Sequence, residues 1–285
     1  MKPEKTSAPE RNGAGLEVLN LHVSAGDRQV LFGVDMRVPI GETHVMFGPN
    51  GAGKTTLLSA LLGLPQARVL SGDIRWNGQS LLGLDVTQRS QQGVGMAFQR
   101  PPAIAGLTLR RLAHLIAKRS MSTQLRREPT DDEVDERVES LAQELDVVDL
   151  LDRNVNEGFS GGEMKRSEVF QIALQNPRLV LLDEPESGVD IVNIERIGYM
   201  LRRLLQRDKK PTERTVSAVI ITHSGHILNY VNADMAHVLF NGVIICRGNP
   251  RDVFEHVHAH GFQGCVQCSV CNSDLSEATR VVEEE

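Results

Sequence analysis

The strongest constraint on this chain is a run of nine residues, Gly48-Pro49-Asn50-Gly51-Ala52-Gly53-Lys54-Thr55-Thr56. Its glycines let the backbone curl until successive N–H groups point into one small concavity. A lysine and a hydroxyl follow in the order G-x-x-x-x-G-K-[ST]. The flanks fit the same plan. Apolar Thr43–Phe47 reads as a short buried strand, and Thr55–Leu62 as a helix whose positive N-terminal end adds to the concavity. Strand, loop and helix in that order make a phosphate cradle. Lys54 is expected to reach the β- and γ-phosphates of a nucleoside triphosphate, and the Thr55 hydroxyl to ligate Mg²⁺. Such a loop belongs at the C-terminal edge of a parallel sheet, so the fold class expected is α/β with a mixed sheet core.

Three further runs end in residues suited to that edge. The apolar stretch Leu179–Leu182 ends in Asp183 and Glu184. Asp183 is a candidate Mg²⁺ ligand, through water, and Glu184 a candidate general base for an attacking water. Val216–Ile221 ends in Thr222-His223, with His223 a candidate contact to the γ-phosphate. Val94–Phe98 ends in Gln99, a candidate for the metal and the reaction centre. Taken singly, these are commonplace: a strand ending in solvated acids, a structural histidine, a loop glutamine. With a phosphate cradle in the same chain they become parts of one site.

Composition sets the limits. The 285 residues are 40% hydrophobic but only 4% aromatic, so the core must be mainly aliphatic. A net charge of −6 argues against a nucleic-acid partner. No apolar run approaches the roughly 18 residues of a membrane span, so no direct membrane insertion is expected and a cytoplasmic location is. Residues 1–15 lack any apolar period and read as a disordered leader. Strand patterns occupy Leu16–Val23 and Val30–Val38, with turn signals at Ser71-Gly72-Asp73 and Asn77-Gly78 around a strand holding Ile74 and Trp76. From about 105 to 175 the texture is helical. Leu109, Leu112, Leu115 and Ile116 suggest one apolar face, and Val134, Val138, Leu141 and Leu145 another. A polar helix is expected over Val192–Arg207 and a hairpin over Ala236–Arg247, turning at Asn241-Gly242.

Phe159-Ser160-Gly161-Gly162-Glu163 narrows the class. With the phosphate loop, Gln99, Asp183-Glu184, Ser187-Gly188-Val189-Asp190 and His223 in that order, it resembles the ATP-binding-cassette (ABC) ATPases. The resemblance implies a P-loop ATPase with an N-terminal β element and a helical subdomain, spanning 16–262. It implies ATP and Mg²⁺ as cofactors and ATP-dependent dimerisation of two such domains. Ser160, Gly161, Gly162 and Glu163 of one copy would then close in trans on ATP held by the other. Ser187, Gly188 and Asp190 would cross the dimer interface. Transport cassettes usually carry Leu-Ser-Gly-Gly-Gln; here the run continues Glu163-Met-Lys165-Arg166-Ser-Glu168, which resembles the SUF-system ATPase (SufC) of iron–sulfur cluster assembly. Phe98–Gly106 and Thr222–Tyr230 resemble that family as well. The implied partner is a SufB/SufD-like scaffold; the alternative is a membrane permease served by a transport ATPase. One departure from many ABC proteins is the lack of an aromatic near Ser24–Ala25 to stack on adenine.

The chain holds four cysteines, too few for a disulfide scaffold. Three of them, Cys265, Cys268 and Cys271, fall at C-x₂-C-x₂-C spacing in a tail read as 263–285. The spacing suits an iron–sulfur cluster, or Zn²⁺ completed by Cys246 or a histidine from His256, His258 and His260, or three unligated thiols.

Overall fold

The computed structural model describes residues 15–99, 101–223 and 225–266. Residues 1–14 of the expected leader 1–15, Cys268, Cys271 and the acidic end lie outside the described residues, while Gly15 already belongs to the first strand. Three aliphatic cores organise the described part around a six-stranded sheet.

The chain opens with β1 (Gly15–Ala25) and β2 (Arg28–Pro39), paired antiparallel, and continues into β3 (Thr43–Phe47). Helix α1 (Lys54–Leu62) follows the phosphate loop. Strand β4 (Ala67–Trp76) returns beside β1 and turns into β5 (Gln79–Ser80) at Asn77-Gly78. Both turn residues have positive φ, 51° and 79°, the conformation that Asn-Gly adopts at least cost. The order β2-β1-β4-β5 makes the expected N-terminal β element.

After α2 (Val86–Gln91) come β6 (Val94–Ala97) and β7 (Ile104–Thr108), then the helical region. It comprises α3 (Leu109–Leu125), α4 (Asp131–Glu144), β8 (Asn154–Val155) and α5 (Gly161–Gln175). The antiparallel β7–β8 ribbon was not legible as strand, being short and mostly exposed. The apolar face of α3 also differs from the sequence expectation. Leu109, Ala113 and Ala117 are buried while Leu115 is 56% exposed, because alanines, not the larger leucine, meet the close approach of α4 and α5. The α4 face is as expected, with Val134, Val138 and Leu141 buried behind a Thr130–Glu133 capping box.

Strand β9 (Leu179–Asp183), α6 (Ile191–Leu204) and β10 (Ser217–Ile221) complete the centre. The hairpin β11 (Met235–Phe240) and β12 (Val243–Gly248) turns at Asn241-Gly242 as expected, and α7 (Pro250–Val266) closes the described chain. The sheet order is β12-β11-β3-β10-β9-β6, parallel except for β12. Side chains alternate between its faces. Val180, Leu182, Ala218 and Ile220 join the core beneath the helical region, and Leu179, Leu181, Val219 and Ile221 join the core beneath α1 and the β element. A third core lies between β3, the hairpin and α7. Strands buried on both faces lose the polar alternation of surface strands, which is why they read as continuous apolar runs.

Candidate nucleotide-hydrolysis site

Parallel register brings four strand ends to one edge: β3 into Gly48, β6 into Phe98 and Gln99, β9 into Glu184, and β10 into Thr222 and His223. The phosphate loop turns there through Gly48, Gly51 and Gly53, all at positive φ. A Cβ at Gly48 would strike the Leu239 carbonyl, and one at Gly53 would come within 2.6 Å of Leu31 Cδ2. Both positions therefore need glycine for space as well as for backbone freedom. Nothing lies within 4 Å of the Cβ position at Gly51, whose requirement is conformational alone.

The buried Lys54 ammonium folds back over the loop, donating to the carbonyls of Gly48 at 2.8 Å and Pro49 at 2.9 Å. Burial pulls its pKa down, and the nearby Glu184 and Asp183 carboxylates oppose this. Asp183, 3% exposed, is pushed the other way. Its desolvation raises the pKa against a hydrogen bond from the Thr55 hydroxyl, and the Glu184 charge raises it further. A hydroxyl and a carboxylate in contact, inside a cleft that disfavours the bare negative charge, fit a hard divalent cation such as Mg²⁺.

Glu184 sits at φ 49°, unusual for a side chain of its size, with its amide held by the Ile221 carbonyl at 3.0 Å. This turn brings together three residues drawn from three strand ends. Gln99 Nε2 donates to Glu184 Oε2 at 2.7 Å, and His223 Nε2 lies 2.8 Å from Glu184 Oε1. Both carboxylate oxygens are therefore engaged.

Ser160 caps α5 and forms a reciprocal box with Glu163, whose carboxylate also meets Arg153 at 2.7 Å. The Ser160 amide and then Arg153 hold the Glu163 pKa below its ordinary value. A Cβ on Gly161 would strike the Gly188 carbonyl, and one on Gly162 would lie 2.6 Å from Asn193 Cγ. Gly161 is thus required by close packing of the Ser187–Asp190 loop, and Gly162 by Asn193 on the helix that follows it, both within the same chain. Asp190 caps α6, accepting from the Asn193 amide at 3.0 Å.

One connection was missed in the sequence reading. Lys165 and Glu168, noticed there only as markers of subtype, grip the backbone just before Gln99. Lys165 Nζ donates to the Phe98 carbonyl at 2.7 Å, and the Phe98 amide donates to Glu168. The two side chains meet at 3.4 Å and are nearly fully buried. Burial raises the Glu168 pKa, with Lys165 opposing. The signal available was two opposite charges at i and i+3 on α5.

Of the cysteines, Cys246 and Cys265 are described, and both are buried. Cys265 lies in the last turn of α7, and no cluster of three or more metal-ligating side chains occurs among the described residues.

A phosphate cradle, a carboxylate–hydroxyl pair and a glutamate held by glutamine and histidine define a P-loop nucleotide-hydrolysing cassette. Residues 31–187 match the ABC transporter family, and the chain belongs to that family as an ATP-hydrolysing cassette. It is 34% identical over 259 residues to "Probable ATP-dependent transporter ycf16" of Pyropia yezoensis, covering 88% of this chain and 98% of that protein. It is 33% identical over 254 residues to a protein of Streptococcus pyogenes serotype M18 named as an ABC transporter ATP-binding protein, covering 88% and 95%. Among solved structures it resembles the dimeric post-hydrolysis state of an ATP-binding cassette bound to ADP and Pi. That match has a TM-score of 0.68 at 20% identity and covers 83% of this chain and 99% of the other. No helix among the described residues is long and apolar enough to cross a membrane.

Proposed function

We propose that this cassette couples ATP binding and hydrolysis to a conformational change in a cytoplasmic iron–sulfur cluster assembly scaffold, a SufB/SufD-like partner. The observation that carries this reading is the Lys165–Glu168 grip on Phe98. It joins the helix that begins at Ser160 to the loop bearing Gln99, so that nucleotide contacts at either end reach the other. The residues that build the grip, Lys165 and Glu168, lie in the run following Glu163 on which the resemblance to the SUF-system ATPase rests.

The chemistry is assigned as follows. Backbone amides of residues 48–56 and Lys54 bind the triphosphate. Thr55 and Asp183 hold Mg²⁺, with Gln99 beside them; bound there, the ion neutralises charge on the phosphates. Glu184 takes the proton of the attacking water, and His223 orients Glu184 and faces the γ-phosphate. Both Glu184 oxygens are occupied, so activating water requires Gln99 to let go of Oε2. Dimer closure, with Ser160, Gly161 and Gly162 arriving from a second copy across the Ser187–Asp190 loops, is the event suited to release it. The domain limits 16–262 and the helical subdomain 105–175 serve this reading as the ATPase body and its coupling face.

A second reading, a transport ATPase docked on a membrane permease, is favoured by the names of the relatives. Anaerobic affinity purification of the full chain from its native cell separates the two. Soluble scaffold subunits that stimulate its ATPase activity support the proposal. A detergent-extracted permease as the sole stoichiometric partner overturns it.

A further inference from the structure

Arg153 sits where three parts of the chain meet. Its amide donates to the Leu150 carbonyl at 3.1 Å, and its carbonyl accepts from the Leu109 amide at 2.9 Å, which fixes its backbone against the start of α3. From there the side chain crosses the loop that leads into α5. Its guanidinium lies 4.4 Å from the centre of the Phe159 ring. It donates to the Gly158 carbonyl at 3.1 Å and to Glu163 Oε1 at 2.7 Å. The other carboxylate oxygen, Oε2, accepts from the Ser160 amide at 2.7 Å. Glu163 is thus an anion fixed in the first turn of α5.

That charge carries a conflict. A carboxylate suits the positive end of a helix, but so does a phosphate, and two anions at one end repel each other. The amides of Gly161 and Gly162 precede the first intrahelical bond, from the Met164 amide to the Ser160 carbonyl at 2.9 Å, so the helix itself leaves them to an outside acceptor. We propose that Arg153 is a positioning residue for this turn: it cancels the Glu163 charge and holds that carboxylate back on Ser160, so that the start of α5 can receive the γ-phosphate of ATP held by a second copy. Arg153 has this task only if residues 160–162 meet ATP in trans, as proposed above. The need for a cation is conditional on the acid. With a neutral amide side chain at 163, no charge opposes the phosphate. The stack on Phe159 and the bond to Gly158 differ in this respect, because they hold the loop whatever stands at 163.

The test is a mutant cycle in the full chain carrying Glu184→Gln, with ATP-dependent dimerisation followed by light scattering. Arg153→Met should raise the ATP concentration for half-maximal dimerisation by at least about tenfold. The rise should shrink as salt is added, since ions screen the repulsion. With Glu163→Gln already present, the same change at Arg153 should cost less than about twofold. Arg153→Lys, which keeps the charge without the planar fork, should recover most of the loss. Should Arg153→Met not fold, Arg153→Gln, which can still reach the Gly158 carbonyl, takes its place in the cycle. An equal loss with and without Glu163→Gln, insensitive to salt, would limit Arg153 to holding the loop and overturn the proposal. A chain unaltered at 153 and 163 that does not dimerise with ATP would instead remove the trans arrangement itself, and this role with it.

Discussion

Glu184 shows how much one residue depends on its neighbours. Its carboxylate is held from both sides by Gln99 and His223, at 2.7 and 2.8 Å. Replacing it with glutamine keeps the shape and removes the base. Glu184→Gln should lower kcat by about 10²–10⁴-fold while ATP affinity stays within a few-fold. Single-turnover kinetics beside nucleotide binding would check this, and unchanged turnover would remove Glu184 as the base. Gly161 carries a different lesson. Its lack of a side chain is demanded by the Gly188 carbonyl, so Gly161→Ala must displace the Ser187–Asp190 loop. A stability loss of about 1–3 kcal/mol is expected in urea unfolding, with weakened ATP-dependent dimerisation by light scattering.

Among the elements, α5 bears the most unusual burden. It is buried along its length and carries Lys165, Arg166 and Glu168 into the interior. Arg166 reaches the Asp146 carbonyl and lies 3.5 Å from Asp149, while Lys165 and Glu168 hold Phe98. Removing one partner of a buried pair strands the other. Lys165→Met should cost about 3–5 kcal/mol and lower kcat by loosening the Gln99 loop. Lys165→Arg should recover part of both, since a cation remains for Glu168. A variant that loses stability with kcat intact would limit the pair to a structural role.

For the whole molecule, the parallel sheet sets behaviour in acid as well as the position of the site. His237 on β11 contacts His44 on β3, Nε2 to Nδ1 at 2.9 Å, and His44 in turn meets Glu42. Burial, with the neighbouring His44 and Arg247, pushes the His237 pKa well below the ordinary value. The folded chain then refuses a proton that the unfolded chain accepts. Its stability is fully kept above about pH 6.5 and falls as pH drops below that value. The urea midpoint should therefore decline from pH 7.5 to 5.5, and His237→Gln should flatten that decline. An equal slope in the variant would assign it to other groups. Glu168, with its pKa raised by burial, acts in the opposite sense at lower pH.

Local chemistry made much of this legible from the chain alone. The phosphate loop, the Asn-Gly turns and the buried strands follow from backbone preference and apolar runs, which need no distant partner. Strand ends at Asp183, His223 and Gln99 could be assigned to one edge because parallel strands share their direction. Other features arise only from contacts between residues far apart in sequence. The hold of Gln99 and His223 on Glu184 is one, and the grip of Lys165 and Glu168 on Phe98 is another. Spacing constrains neighbours along a helix or strand, but it carries no information on which elements the core will press together. The sequence by itself determined the class of chemistry. The tertiary structure decided which side chains restrain it, because burial and packing act through space.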